Sequence, residues 1–227
     1  VFLKRKIKKF IQDTEFKWFL GTVSIFTAIT TVTLYFTTNM GFEESFRKAA
    51  FQIVSLQTTT GYVSADYGTW IPPLWLLLSI TMIIGGCAGS TSGAIKCIRI
   101  AILSKIGRNE FKRILHPNAV LPVRINNTTV SQSVRTTLFA FIFFYLTLII
   151  VGWFAIMCTG VDFMEAFSVT LSSLGNVGPG LGKFGPSHSW SELPTISKWI
   201  SSFLMLVGRL EVFSVLLVLT PGFWKRK

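Results

Sequence analysis

Charged residues are scarce in this 227-residue chain, and the 10 acidic residues are fewer than half as many as the 22 basic ones. Only 14% of the residues are charged and half are hydrophobic, whereas a soluble domain carries nearer a quarter charged residues. The chain has two histidines and three cysteines, with no Cys-x-x-Cys pair and no histidine at a metal-ligand spacing. We therefore predict free thiols at Cys87, Cys97 and Cys158, and neither a disulfide framework nor a metal centre.

Long apolar stretches account for the hydrophobic content. They cover about 18–40, 71–106, 134–158 and 196–220. A transmembrane helix needs about 20 apolar residues, so the first, third and fourth stretches fit one crossing each. The second is too long for one straight crossing and is interrupted by the glycine-rich segment 85–93. The sequence therefore predicts an all-α polytopic membrane protein.

The net charge of +12 comes mainly from Lys and Arg in segments that these spans would place on one side of the membrane. Cytoplasmic loops of membrane proteins carry an excess of Lys and Arg, so we expect both termini and the 99–135 loop to be cytoplasmic. This placement disfavours nucleic-acid binding and makes anionic lipid the expected contact. The cytoplasmic residues are Lys4, Arg5, Lys6, Lys8, Lys9, Lys17, Arg99, Lys105, Arg108, Lys112, Arg113, Arg124, Arg135, Lys225, Arg226 and Lys227, against Arg47, Lys48, Lys183 and Lys198 outside.

Each outward loop contains a short apolar segment that is expected to be helical. The segments run over about 43–57 and 162–174, too short to span and typical of re-entrant helices. Asp162 and Glu165 have the spacing of a capping box at the start of the second segment. After each segment comes a glycine-bearing turn.

The two loops also align with each other, which predicts two span–pore-loop–span repeats in the same orientation. Parallel repeats are related by an axis along the membrane normal. The aligned pairs are Gly61 with Gly178, Phe46 with Phe163, Ala49 with Ala166 and Ser55 with Ser172. The predicted segments are a basic cytoplasmic start (1–17), a first repeat (18–106), a basic linker (107–133), a second repeat (134–224) and a basic tail (225–227).

The two turns suit the binding of a dehydrated monovalent cation. Such an ion exchanges its water shell for backbone carbonyls that point inward from an irregular loop, and glycine permits the necessary backbone angles. Each turn also follows the C-terminal, negative end of a helix dipole. Taken singly, each motif is an ordinary turn; their matching positions favour cation coordination. The candidate filter residues are Thr58, Thr59, Thr60, Gly61, Tyr62, Asn176, Val177, Gly178, Pro179 and Gly180.

Four motifs resemble the C-terminal half of the Trk/Ktr/HKT superfamily of potassium transporters, close to its TrkH-type uptake subunit. One departure is that Ser92 and Ala94 stand where the family often has glycine, which would stiffen the loop slightly. The motifs are Gln57-Thr58-Thr59-Thr60-Gly61-Tyr62, the run from Gly85 to Lys96, the run from Leu174 to Gly182, and Gly208-Arg209-Leu210-Glu211 with Thr220-Pro221 and Trp224.

The resemblance implies potassium uptake rather than enzymatic activity, with the potassium ion as substrate and no cofactor in this chain. It implies that the span–pore-loop–span repeats are of potassium-channel-like type and assigns the chain the third and fourth of four, so two preceding repeats of the same protein are expected. It also implies a bacterial inner membrane, a homodimer, and a cytoplasmic nucleotide-binding regulatory subunit of the TrkA type. The alternative is a non-conducting membrane scaffold or assembly subunit, because half a ring leaves its pore face open.

Segment 85–93 has four glycines and two serines in nine residues and is therefore a poor helix, since each glycine costs about 1 kcal/mol relative to alanine. It lacks the Gly-Lys-Ser/Thr ending of a phosphate-binding loop. A flexible kink for helix packing is one interpretation; the resemblance implies an intramembrane gate. The candidate gate residues are Gly85, Gly86, Gly89, Ser90, Thr91, Gly93, Lys96 and Arg209.

Arg209 lies near the middle of the predicted fourth span, about 20 Å from either end at 1.5 Å per residue. Ionisable groups at such depth usually face the protein interior or a water-filled path. An ion pair with Glu211 is the simpler alternative, but positions i and i+2 do not face each other on a helix. We hypothesise that Arg209 bonds carbonyls of segment 85–93 and opposes cation passage, whereas Lys96 snorkels or lies at the cytoplasmic mouth.

Overall fold

The computed structural model describes residues 12–119, 121–126, 128–210 and 212–224. The basic residues predicted before Gln12, Glu211 and the 225–227 tail lie outside the described residues. The helices are α1 (Thr14–Thr37), α2 (Phe42–Gln57), α3 (Pro72–Ile83), α4 (Cys97–Leu115), α5 (Gln132–Met157), α6 (Phe163–Gly175), α7 (Thr195–Arg209), α8 (Val212–Leu219) and α9 (Pro221–Trp224), and the antiparallel strands are β1 (Arg124–Ile125) and β2 (Thr128–Thr129).

Helices α1 and α5 are long and apolar enough to cross a membrane, with 24 and 26 residues. At about 1.5 Å per residue they measure roughly 36 and 39 Å, more than the ~30 Å of a bilayer's hydrocarbon core. Each begins at a side-chain cap: Asp13 accepts the amide of Glu15 at 2.7 Å, and Ser131 that of Val134 at 3.4 Å. Their outer faces expose large apolar side chains, among them Phe36, Phe143 and Phe154, as lipid contact requires.

The second predicted span is divided into two helices. Helix α3 starts with two prolines in its first turn, where no amide donor is needed, and ends at Ile83. Helix α4 begins only at Cys97 and continues to Leu115, nine residues beyond the predicted end at 106. The irregular segment between the helices includes the glycine-rich run that the sequence marked as an interruption.

The fourth predicted span, an apolar run that fits one crossing, is also divided into two helices. Helix α7 ends at Arg209 and α8 begins at Val212. Gly208 lies so close to the Leu174 carbonyl oxygen that a methyl group there would clash. The backbone of α7 is therefore pressed against the end of α6 just before the break.

Helices α2 and α6 are the two short segments expected in the outward loops, and their bounds lie within one residue of the predictions. Both pack in the core: Ile53 and Leu56 of α2, and Leu171 and Leu174 of α6, are almost fully buried. Asp162 is the N-cap residue of α6, but its side chain makes no capping bond. The predicted capping box was therefore wrong.

The predicted linker 107–133 contains regular structure. It holds the last turns of α4 and the β1–β2 hairpin, whose pairing joins Arg124 to Thr129. A small apolar cluster that includes Ile106, Val123 and Leu138 joins the hairpin region to α4 and α5. The hairpin is thus fixed to the helical body, which matters for the contacts described below.

Candidate functional site

The first turn leaves the C-terminal end of α2 with two left-handed residues. Thr59 has a φ of 56° and Gly61 a φ of 77°. The amide of Thr60 returns to the carbonyl of Ser55 at 2.9 Å. The Ser55 hydroxyl donates to the carbonyl of Tyr62 at 2.6 Å. Ser55 therefore bonds the turn at two points, Thr60 through its carbonyl and Tyr62 through its hydroxyl, and so orients the segment that follows.

The second turn has the same backbone pattern. Asn176 and Gly178 are left-handed, with φ of 54° and 111°, and each lies 117 residues after its counterpart (59 and 176; 61 and 178). The amide of Val177 donates to the carbonyl of Ser172 at 3.0 Å, which repeats the bond of the first turn at the same offset. Two unlike sequences therefore fold into the same turn at the same place on their helices.

The two turns lie against each other. A methyl group added at Gly61 would overlap the carbonyl oxygen of Val177 and crowd the ring of Pro179. The main-chain oxygen of the second turn therefore points at the backbone of the first. Both turns also follow the negative ends of helix dipoles, so their juxtaposition concentrates partial negative charge. This is an electrostatic setting that favours a cation.

The remaining predicted filter residues occupy the flanks. Thr58 is the C-cap residue of α2. Its hydroxyl donates to the Val54 carbonyl at 2.7 Å and lies 2.8 Å from the Thr60 hydroxyl. Gly180 donates its amide to the Phe184 carbonyl at 2.9 Å. All ten candidate residues thus fall in or beside the two adjoining turns.

Residues 85–93, which we call the intramembrane loop, form an irregular excursion pinned at its base. Ile95 donates to the Ile83 carbonyl at 2.9 Å, and Gly85 to the Ile95 carbonyl at 2.8 Å. The Cys97 thiol donates to the Gly85 carbonyl at 3.0 Å. At the other end the Gly93 amide donates to the Thr59 hydroxyl at 3.2 Å. The loop is therefore bonded directly to the first turn.

Lys96 holds the second half of the intramembrane loop. Its ammonium group donates to the carbonyls of Ser90, at 2.9 Å, and Ser92, and to the Ser92 hydroxyl at 3.1 Å. The sequence had assigned such carbonyl contacts to Arg209. Among the described residues no hydrogen bond joins Arg209 to the loop, so that part of the hypothesis was wrong.

Arg209 nevertheless faces the loop across a shared cavity of about 260 Å³. It is the last residue of α7, where a positive charge complements the helix dipole. The Asn176 side-chain amide donates to the Met205 carbonyl at 3.1 Å, so α7 is bonded to the second turn one helical turn before Arg209. The cavity is lined by Gly89, Ser90, Thr91, Ser92, Ala94, Lys96, Arg99, Phe141, Tyr145, Gly208, Arg209 and Val212.

The segments that follow the two turns are joined as well. Asp66 accepts the hydroxyl of Ser187 at 2.7 Å and caps its own turn through the Gly68 amide at 2.8 Å. Glu165, at the start of α6, pairs with Lys183 at 3.8 Å. Sequence reasoning did not identify the Asp66–Ser187 contact, because no motif signals a bond between segments so far apart.

The described residues contain no group of three or more His, Cys, Asp or Glu side chains able to hold a metal ion. Cys97 is buried and Cys87 half-buried; with exposed Cys158 they are free thiols, as predicted. The two adjoining turns offer main-chain carbonyls and uncharged side-chain oxygens from threonine, Tyr62 and Asn176, which suit an alkali cation better than a transition metal.

Comparisons with known proteins identify the family of the chain. Residues 2–223 match the TrkH family, described as cation transport protein. The chain is 36% identical over 223 residues to the Trk system potassium uptake protein TrkH of Halomonas elongata and 37% over 222 residues to that of Escherichia coli K12. These alignments cover 98% and 97% of the chain but 46% of each relative, so the chain spans about half the length of the curated relatives it matches.

A solved structure is similar throughout the chain. The crystal structure of the potassium transporter TrkH from Vibrio parahaemolyticus superposes with a TM-score of 0.88 at 34% identity. The superposition covers 96% of this chain and 46% of that chain. This likeness identifies the helical assembly described above as that of a polytopic membrane protein.

Proposed function

Because the chain belongs to the TrkH family of cation transport proteins, we propose that it forms part of a potassium-uptake pore whose filter includes residues 58–62 and 176–180. The observation that carries this proposal is the contact between the two turns, in which the Val177 carbonyl oxygen faces the Gly61 backbone. Carbonyls held at close range can replace the water shell of a dehydrated cation. The chain acts as a transporter component and not as an enzyme.

The intramembrane loop gates this pore. Its base is bonded to Thr59, and it shares a cavity with Arg209. The positive charges of Lys96 and Arg209 repel a cation on that side of the filter while the loop is closed. Lys96 restrains the loop directly, and Arg209 acts through its charge across the cavity.

The whole assembly is larger than this chain. We propose that further repeats of the same protein complete the ring, that the protein is a homodimer in the bacterial inner membrane, and that both termini are cytoplasmic. A nucleotide-binding regulatory subunit of the TrkA type then docks on the basic cytoplasmic surface. The coincidence of basic residues on segments predicted to share one side of the membrane supports this orientation.

A pair of serine variants on α2 tests the filter. Ser55 and Ser45 are both buried on this helix, but only Ser55 holds the turn, through the Tyr62 carbonyl. The Ser45 hydroxyl has no hydrogen-bond partner among the described residues. We expect Ser55→Ala in the full-length protein to lower the preference for potassium over sodium, because a freed carbonyl no longer keeps its position, and Ser45→Ala to leave it unchanged.

The measurement is rubidium or potassium uptake into liposomes that contain the full-length protein, with sodium as competitor. Uptake by the unaltered protein supports transport, whereas no uptake above empty liposomes supports the scaffold alternative. Equal selectivity in the two serine variants would show that the 58–62 turn is not part of the filter.

A further inference from the structure

A hydrogen-bonded joint connects the cytoplasmic hairpin to the start of α1. The Asn126 side-chain oxygen accepts both the amide and the hydroxyl of Thr14, at 2.9 and 2.8 Å. The backbone amide of Asn126 donates back to the Thr14 hydroxyl at 3.3 Å. Asn126 is left-handed, with a φ of 51°, so the hairpin turn is shaped to present this side chain.

The next residue of α1 reaches the intramembrane loop. The Glu15 carboxylate accepts the backbone amide of Ala88, a residue 73 positions later in the chain. Ala88 itself is exposed and is followed by left-handed Gly89. The carboxylate thus holds the tip of the loop from a helix that is not part of it.

The other restraints on the loop act elsewhere. Lys96 bonds its second half, and Gly93 at its base bonds Thr59. In the first half, Gly85 and Gly86 bond Ile95 and Cys97 at the base of the loop, and the described bonds of the Cys87 carbonyl are with Ser90 inside the loop. The base of the loop therefore lies at the 58–62 turn, and its tip at Ala88 lies beside the N-terminal end of α1. The contact with Glu15 is the described bond that fixes this tip to the surrounding protein.

We propose that Glu15 is a positioning residue for the intramembrane loop, and that the Thr14–Asn126 joint couples the loop tip to the β1–β2 hairpin. The gating significance rests on the function proposed above; the positioning does not. A force that shifts the hairpin shifts the first turn of α1, and with it the carboxylate that holds Ala88. A hydrogen bond to a charged group changes a local opening equilibrium by roughly tenfold or more.

Cys87 is a native reporter of the loop tip, because it directly precedes Ala88 and is half-buried. We would measure its alkylation rate by a maleimide in the purified full-length protein, with peptide mass spectrometry to separate it from Cys97 and Cys158. We expect Glu15→Ala to raise this rate about tenfold, the shift given by one charge-assisted hydrogen bond.

Two further variants isolate the contact. Glu15→Gln keeps an oxygen acceptor but loses the charge, so it should label at a rate between those of the unaltered protein and Glu15→Ala. Glu110→Ala removes another carboxylate, which pairs with Arg113 on α4 at 3.1 Å and does not touch the loop; it should have no effect. An unchanged rate in Glu15→Ala, or a Glu15→Gln rate equal to it, would overturn the proposed positioning role.

The coupling to the hairpin has its own test. Asn126→Gly removes the side chain but tolerates the left-handed backbone, so a rise in Cys87 labelling would come from the lost contacts with Thr14. We expect a rise, and in the double variant with Glu15→Ala less than the product of the two single effects. An unchanged rate in Asn126→Gly would refute the coupling.

Rubidium uptake by the same preparations separates this proposal from the proposed function. We expect Glu15→Ala to raise both labelling and uptake. Faster labelling in a protein that transports no rubidium before or after the change would support the positioning role and contradict the pore. Uptake by the unaltered protein, together with an unchanged labelling rate in Glu15→Ala, would support the pore and contradict the positioning role.

Discussion

Substitution of Gly61 by alanine should damage ion selection through two separable effects. The first is backbone strain: Gly61 has a φ of 77°, and a left-handed conformation costs an L-residue roughly 1–2 kcal/mol. The second is steric. The new methyl group would overlap the carbonyl oxygen of Val177, so one of the two turns must move.

The steric effect is the one that reaches the ion. If the displaced carbonyl no longer coordinates, the loss of one polar contact in a desolvated site is worth about 1–3 kcal/mol. Since 1.4 kcal/mol corresponds to a factor of ten, we expect potassium selectivity over sodium to fall by roughly 5- to 140-fold. Rubidium uptake with sodium competition in liposomes measures this ratio.

Gly160 provides the matched control. It is also left-handed, with a φ of 90°, but a methyl group added there meets nothing within 4 Å. Gly160→Ala therefore reproduces the strain without the collision and should keep normal selectivity, although it lowers stability. If Gly61→Ala were as selective as Gly160→Ala, the carbonyl of Val177 would not belong to the ion site and the reasoning would be refuted.

Two other substitutions carry predictions. Arg209→Ala should raise potassium flux about tenfold, because two unit charges ~10 Å apart at an effective dielectric of 20 repel by roughly 1.7 kcal/mol. The control, Arg113→Ala, removes an exposed arginine and should leave the flux unchanged. Equal flux in the two variants would contradict a role of Arg209 in the gate. Gly208→Ala should lower thermal stability, because its methyl group collides with the Leu174 carbonyl. Gly21→Ala is the control: its methyl group meets nothing within 4 Å, so the stability of α1 should rise by up to about 1 kcal/mol. Equal melting temperatures of the Gly208→Ala and Gly21→Ala proteins would argue against close packing of α7 on α6.

The short helices were predictable from sequence because their signals are local. Each apolar run is too short to span and ends at a turn rich in glycine, and the predicted ends at 57 and 174 lie within one residue of those in the structure. The correspondence of the turns was also legible, since glycine recurs at one of the two positive-φ positions of each turn, Gly61 and Gly178. What remained hidden was the contact between the turns, which depends on tertiary packing.

The break near Arg209 was missed because hydropathy treats 196–220 as one apolar run. Gly208 was the available signal: a glycine inside a helix often marks a close backbone approach, here to the Leu174 carbonyl. The carbonyl contacts of the intramembrane loop were assigned to Arg209 rather than to Lys96 for a related reason. Lys96 lies three residues after Gly93 and folds back onto the loop, whereas the sequence predicts that its charge snorkels or lies at the cytoplasmic mouth.

The joint at Asn126 and Glu15 had no sequence signature at all. It links residues 112 and 73 positions apart, and neither contact belongs to a recurrent motif. Such bonds follow from the way α1, the hairpin and the intramembrane loop are brought together by the apolar packing of the helices. They are therefore visible only once the chain is folded.

The central claim is that main-chain oxygens of the 58–62 and 176–180 turns bind one dehydrated alkali cation together. Crystals of the full-length protein grown with rubidium test it directly, through the anomalous scattering of the ion. We predict a peak between the two turns, within coordination distance of carbonyl oxygens from both. A rubidium-bound structure with no peak there, or with an ion coordinated by side chains elsewhere along the pore, would contradict the claim.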